Sequence, residues 1–181
     1  MNKIIGITGA FASGKSLAAD TLASKYNVPI FSFGKMIENI LISEGLTPTR
    51  QNLQKRGYET IEAIGYDGIA AMLLKTNDID VHKPCVIEGI RHIAVSDYYR
   101  TKFQDQFVLL FIDSSKQSRF DRIQGIEYKK VIINSREEFD LIDGHEIEAQ
   151  IDNSKTSADF IVENNSSKEI FLSKVLELNL S

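Results

Sequence analysis

The 181-residue sequence predicts an α/β fold, three layers α/β/α around a five-stranded parallel sheet. Three observations predict it. Short, nearly continuous apolar runs recur along the chain, as strands covered on both faces require. Segments of helical patterning separate these runs, so each connection is a crossover and successive strands run parallel. The first apolar run leads directly into a glycine turn, Gly9 to Ser16, and then into a helix.

The strands are expected at Ile4–Thr8, Pro29–Phe33, Cys85–Glu88, Phe107–Ile112 and Phe160–Val162. A helix is expected over Lys15–Lys25 and another over Lys35–Ser43, closed by a turn at Glu44-Gly45. Thr47 offers an N-cap with Pro48 at the first helical position, and that helix should run to Ala63 and stop at Gly65. Asp67 should cap a further helix through Leu74. Ser96–Phe103 and Ser115–Gln124 read as helices, with Asp113 as a candidate cap for the second. Ser135-Arg136-Glu137-Glu138 and Ser166-Ser167-Lys168-Glu169 both have capping-box spacing. Two stretches, 34–76 and 125–156, read as insertions at the carboxyl ends of the strands, where α/β sheets bind ligands.

Composition narrows the classes. Hydrophobic residues make up 43% of the chain and no Pro/Gly-rich linker divides it, so one domain over 1–181 is expected. A net charge of −4 argues against a general nucleic-acid coat, and no nucleic-acid partner is expected. No apolar run reaches the ~20 residues of a membrane helix. With no secretory pattern at the start, the expectation is a cytoplasmic protein without a membrane partner. Cys85, the one cysteine, fits a reducing compartment and reads as a small buried residue.

Gly9-Ala10-Phe11-Ala12-Ser13-Gly14-Lys15-Ser16 has the form G-x-x-x-x-G-K-[ST], and its strand–loop–helix context gives the pattern physical content. Glycines let the backbone bend around phosphate oxygens. Successive N–H groups then face inward beside the positive end of the following helix, which Leu17 continues. Lys15 can reach the β- and γ-phosphates of ATP. The Ser16 hydroxyl suits Mg²⁺, which prefers oxygen ligands.

Val86-Ile87-Glu88-Gly89-Ile90-Arg91 is a second constellation. At the carboxyl end of a strand, Glu88 can orient Mg²⁺ or its water, Gly89 permits a tight turn, and Arg91 can fork onto an anionic acceptor. The remaining candidates are less telling. His82, His92 and His145 lack metal-ligand spacing. Tyr58, Tyr66, Tyr98 and Tyr99 read as half-buried helix residues rather than base stackers.

The glycine loop, Ser32-Phe33-Gly34-Lys35-Met36-Ile37 after the second strand, and Ile87-Glu88-Gly89-Ile90-Arg91 after the third together resemble the P-loop nucleotide kinases. The resemblance is closest to adenylate-kinase-related and dephospho-CoA-kinase-like proteins. It extends through Gly45–Leu53, Ser118–Arg122, Ser135–Phe139 and Ile161–Ser166, in order. It implies a P-loop NTPase fold with a helical acceptor-binding insertion at 34–76 and a lid at 125–156. Gly9 to Ser16 would grip ATP and Mg²⁺, and Gly34 and Lys35 would lie where the acceptor enters. Glu88, Gly89 and Arg91 would face the acceptor phosphate. Arg119 and Arg122 would stand at the lid's root near the ATP phosphates or base. Asn164, Asn165 and Ser166 would border the adenine.

The chain departs from that pattern in three places. Gly34-Lys35 is followed by Glu38 where relatives carry an arginine, and Arg50 or Arg56 are candidates to replace it. Phe31-Ser32-Phe33 lacks the aspartate that dephospho-CoA kinases use as a base. Ile126-Glu127 and Ile142-Asp143 stand where relatives place basic lid residues, leaving Lys129, Lys130 and Arg136 to supply charge. A phosphate acceptor is already an anion and needs no base. The reading is therefore an ATP-dependent kinase of a small nucleotide acceptor, a (deoxy)nucleoside monophosphate. Dephospho-CoA phosphorylation and a nucleotide-binding regulatory or ATPase module are the alternatives.

Overall fold

The computed structural model describes residues 3–80, 82–128, 131–145 and 151–180. Five parallel strands form the central sheet: β1 (Ile4–Thr8), β2 (Ile30–Ser32), β3 (Cys85–Ile90), β4 (Phe107–Asp113) and β7 (Phe160–Glu163), in the order β2-β3-β1-β4-β7. Each expected strand is present, within two residues at either end.

The period-two geometry of a strand sends neighbouring side chains to opposite faces, and both faces are buried here. Ile4, Cys85, Ile87 and Leu109 enter one core with α2 (Phe33–Ser43), α3 (Arg50–Thr76) and α4 (Ile93–Phe103). Ile5, Ile7, Val86 and Leu110 enter the other, against α1 (Lys15–Tyr26) and α7 (Lys168–Glu177). Tyr99 lies at the centre of the first core and donates its hydroxyl to the Ala70 carbonyl at 3.1 Å, joining α4 to α3. Burial pushes the Cys85 thiol up to about 12, so it is an inert core residue.

Several boundaries differ from expectation, and the physical reason is a better cap nearby. Thr49, not Thr47, caps α3, its side chain accepting from Asn52 N–H. His92 caps α4 through Nδ1, which accepts from Ala94 N–H at 3.1 Å, so the helix begins three residues before Ser96. Ser115 caps α5 (Lys116–Ile123), while Asp113 instead pairs with Lys155 at 2.7 Å. The Ser135 capping box is present on α6 (Arg136–Asp143). At α7, however, Ser167 takes the cap from Ser166 and accepts from Ile170 N–H. The break expected at Gly65 is there: φ of 72° and ψ of 176° interrupt α3, and Asp67 lies within its second half rather than capping a separate helix.

Within 125–156 a short antiparallel pair, β5 (Glu127–Tyr128) and β6 (Val131–Ile132), precedes α6; the sequence reading contained no strand there. Lys129 and Lys130 lie outside the described residues. No helix among the described residues is long and apolar enough to cross a membrane.

Candidate functional site

The glycine loop emerges from the carboxyl end of β1. Gly14 takes φ of 102°, a left-handed conformation, and forms the N-cap of α1. A Cβ at Gly14 would lie 2.4 Å from Asn164 Nδ2, so both backbone and space demand glycine. Asn164 is there for a reason: its amide donates to the Ser13 carbonyl at 2.8 Å and braces the loop from the β7 side.

The acid–Gly–x–Arg turn is built by a β-bulge. Ile7 pairs with Glu88 but Thr8 pairs with Ile90, so Gly89 is the extra residue, with φ of 85°. A bulge bends its strand and re-aims the side chains beside it. Strand alternation puts Glu88 on the Val86 face, toward α1, where Ser16 Oγ donates to Glu88 Oε1 at 3.1 Å, and the bulge turns Ile90 to the opposite core. Thr8 locks the bulge by donating its hydroxyl to the Ile90 carbonyl at 2.8 Å.

These elements open on one cleft of about 340 Å³. Its walls bring together Lys15, Ser16, Glu88, Arg91, Arg50 and Arg122. Four cations thus converge around one carboxylate, the electrostatics of an anion site. Lys15 is 8% exposed. Burial, and next the charges of Arg91 and Arg50, hold its pKa well below the ordinary lysine value, with Glu88 opposing them. Its ammonium donates to the Ala10 carbonyl at 2.6 Å. The far side of the cleft is apolar: Phe33 and Ile37 from α2, Leu53 and Ile61 from α3, Val95 from α4.

Of the expected site residues, the P-loop, Gly34, Arg50, Glu88, Gly89, Arg91 and Arg122 meet at or around this cleft. Gly9 and Ala10 belong to the loop's outer arm; a Cβ on Gly9 would press on the Ile112 carbonyl oxygen at 2.5 Å. Lys35 stands apart, pairing with Glu38 at 2.9 Å on an exposed face. Packing separates Arg50 from Arg56: Arg50 is 5% exposed in the cleft, whereas Arg56 pairs with Glu44 at 2.7 Å.

Arg119 and Arg122 are turned toward backbone. Arg122 donates to the carbonyls of Ala12 at 2.6 Å and Asn164 at 2.9 Å. Burial, then the neighbouring Arg119, lowers its pKa. Arg119 donates to the Phe11 carbonyl at 3.0 Å and forks onto the carboxylate of Asp143, a buried pair outside the cleft lining. Asn165 accepts from Ser115 N–H at 2.8 Å, and Ser166 is exposed beside it.

Sequence reasoning singled out neither Gln54 nor the cleft position of His92, and Asp143 stood there only as the place of an absent basic residue. The 50/53/54/57/61 spacing on α3 marks one helical face and pointed to Gln54. Nothing local pointed to Asp143, whose partner is 24 residues away. Tyr66 stacks on His92 with ring centroids 3.8 Å apart, so it is engaged with protein rather than open to a base.

Ser16 Oγ and Glu88 Oε1 are hard oxygen donors that suit Mg²⁺. Among the described residues no group of three His, Cys, Asp or Glu forms a metal site of its own, so such an ion would need nucleotide oxygens as well.

A family model described as an AAA domain matches residues 5–143. A UPF0200/UPF0201 protein of Archaeoglobus fulgidus is 31% identical over 98% of this chain and 55% of its own length. A UPF0200 protein of Methanocaldococcus jannaschii is 33% identical over 67% of this chain and 61% of its own. The chain thus spans little more than half the length of these two relatives. Among solved structures, shikimate kinase from Bacteroides thetaiotaomicron superposes with a TM-score of 0.63 at 17% identity, covering 98% of this chain and 96% of that one. The fold is that of the P-loop kinases.

Proposed function

We propose that this chain, which belongs to the AAA domain family, transfers the γ-phosphoryl group of ATP to a small phosphorylated acceptor, with (deoxy)nucleoside monophosphates as the first candidates. One observation carries the reading: the phosphate-loop lysine and three arginines share a single cleft with Glu88 and Ser16. Positive charge beyond the loop lysine suits a second anion beside the ATP phosphates.

In this reading the loop amides and Lys15 hold the β- and γ-phosphates of ATP. Ser16 and Glu88 hold Mg²⁺, which when bound neutralises charge on the transferred group. Arg91 and Arg50 hold the acceptor phosphate in line. Positioning and charge neutralisation account for most of the catalysis in such transfers. Glu88, the carboxylate of the cleft lining, is engaged with Ser16, which supports an acceptor that is already ionised over a hydroxyl acceptor. Arg122 in the cleft lining and α6, packed on Phe11 through Phe139, would exclude water, so that ATP is not hydrolysed. The chain acts as one domain over 1–181, with 34–76 receiving the acceptor and 125–156 as the lid.

The test is an acceptor screen. Protein, Mg²⁺ and ATP are mixed with a panel of ribo- and deoxynucleoside monophosphates and with dephospho-CoA, and ADP is followed. ADP stimulated by a monophosphate supports the proposal. Stimulation by dephospho-CoA alone moves the acceptor to a hydroxyl, ADP independent of acceptor makes the protein an ATPase, and binding without turnover makes it a regulatory module.

A further inference from the structure

The third position of the glycine loop carries a phenylalanine, and the ring is packed on two sides. Phe11 is 3% exposed. The guanidinium of Arg50, from the first turn of α3, lies 4.6 Å from the ring centroid. The ring of Phe139, from α6, lies 5.8 Å away. Ile123 and Ile133 complete this small core, which is separate from the two cores flanking the sheet. A fourth contact closes the circuit: Gln54, one turn after Arg50, donates its amide to the Ile142 carbonyl of α6 at 3.0 Å. The acceptor-side helix, the phosphate loop and the lid helix therefore meet at one side chain.

We propose that Phe11 is a positioning residue for the acceptor: its ring holds Arg50 over the cleft, and the lid holds the ring through Phe139. This deepens the kinase reading and rests on it. An arginine on a flexible stem loses side-chain entropy when it is fixed in one place. A desolvated aromatic face reduces that loss at binding by fixing the guanidinium beforehand. Phe11 belongs to the segment that wraps the ATP phosphates, so nucleotide binding and presentation of Arg50 become coupled. Arg50 is close enough to the loop for its charge to help depress the Lys15 pKa, which is the electrostatic counterpart of the same contact.

The test uses Phe11→Leu, which keeps an apolar side chain in the small core, and Phe11→Tyr, which keeps the aromatic face. Phe11→Leu should raise the acceptor KM about thirtyfold, the worth of a desolvated cation–π contact, and weaken Mg²⁺-ATP binding by much less. Phe11→Tyr should restore the acceptor KM. Arg50→Lys, which keeps charge but loses the planar stack, should match Phe11→Leu, and the double variant should be no worse than either single one.

Binding of inorganic phosphate, titrated with a non-hydrolysable ATP analogue present, reads the same coupling without turnover. If no acceptor stimulates ADP release, the kinase reading fails, and the phosphate titration still decides the role of Phe11. Equal weakening of ATP and acceptor by Phe11→Leu would mean that the ring only shapes the loop, and would overturn the inference. So would unchanged phosphate binding in Phe11→Leu, or no phosphate binding in the wild-type protein.

Discussion

In the proposed kinase Lys15 is the residue on which the chemistry depends, and its environment sets its pH behaviour. Its folded pKa lies below its unfolded one, chiefly through burial and then through Arg91 and Arg50. Between the two values the unfolded chain binds more protons, so the contribution of Lys15 to stability rises with pH across that window. Ligand binding has the opposite sign. A bound triphosphate favours the ammonium and raises its pKa, so ATP should take up a proton on binding at alkaline pH. Affinity should fall as pH climbs through the depressed value. Calorimetry in buffers of different ionisation enthalpy measures that uptake, and its absence across the alkaline range would contradict the arrangement. Lys15→Ala should abolish acceptor phosphorylation while leaving the fold intact; wild-type turnover in that variant would refute the mechanism. The motif from Gly9 to Ser16 made this much legible in the sequence, because each of its residue types answers a local backbone or phosphate requirement. The partner of Arg119 was not legible, because Asp143 reaches it only through tertiary packing.

Among the elements, α3 shows most clearly where sequence signals are strong and where they are weak. Its break at Gly65 was readable, since glycine there takes a positive φ. Its start was misplaced by two residues because Thr47 and Thr49 are both good caps and Thr-Pro favours the earlier one. The break divides labour within the helix. Ile69, Ala70, Leu73 and Leu74 of the second half are core residues, while Arg50 and Gln54 of the first half face the cleft and the lid. Gly65→Ala meets no steric obstacle but must adopt a positive φ with an extended ψ, a region that is essentially glycine's alone and costs about 1–3 kcal/mol. Chemical denaturation should register that loss. The β3 bulge makes a sharper case. Glu88 and Arg91 were readable as a pair, but the slipped register that separates their directions was not, because a bulge is a property of two strands together. The lid hairpin was missed for a similar reason: two-residue strands carry no periodicity.

At the scale of the molecule, the fold was legible because alternating apolar runs and crossovers admit few topologies, whereas the closure of the proposed lid is written only in long-range contacts. Asp143 is the polar half of that closure and Phe139 the apolar half. Asp143→Ala leaves a buried guanidinium without its carboxylate, which destabilises by about 3–5 kcal/mol where the pair is fully buried and by less where the lid can lift instead. Acceptor-independent ATP hydrolysis should therefore rise, together with proteolysis between residues 125 and 145. An unchanged hydrolysis rate would mean that the ion pair does not govern water entry.

The burial of Cys85, at 1% exposure in a chain that has no other cysteine, has a practical corollary. Alkylating dyes attack thiolates, and this sulfur is both shielded and reluctant to ionise. A cysteine substituted at the exposed Leu141 of the lid, and a second at the exposed Ile42 of α2, would then be the two reactive handles. A donor and an acceptor fluorophore attached there would report the distance between α6 and α2 in real time, nucleotide by nucleotide, with no need to mutate the native sulfur away.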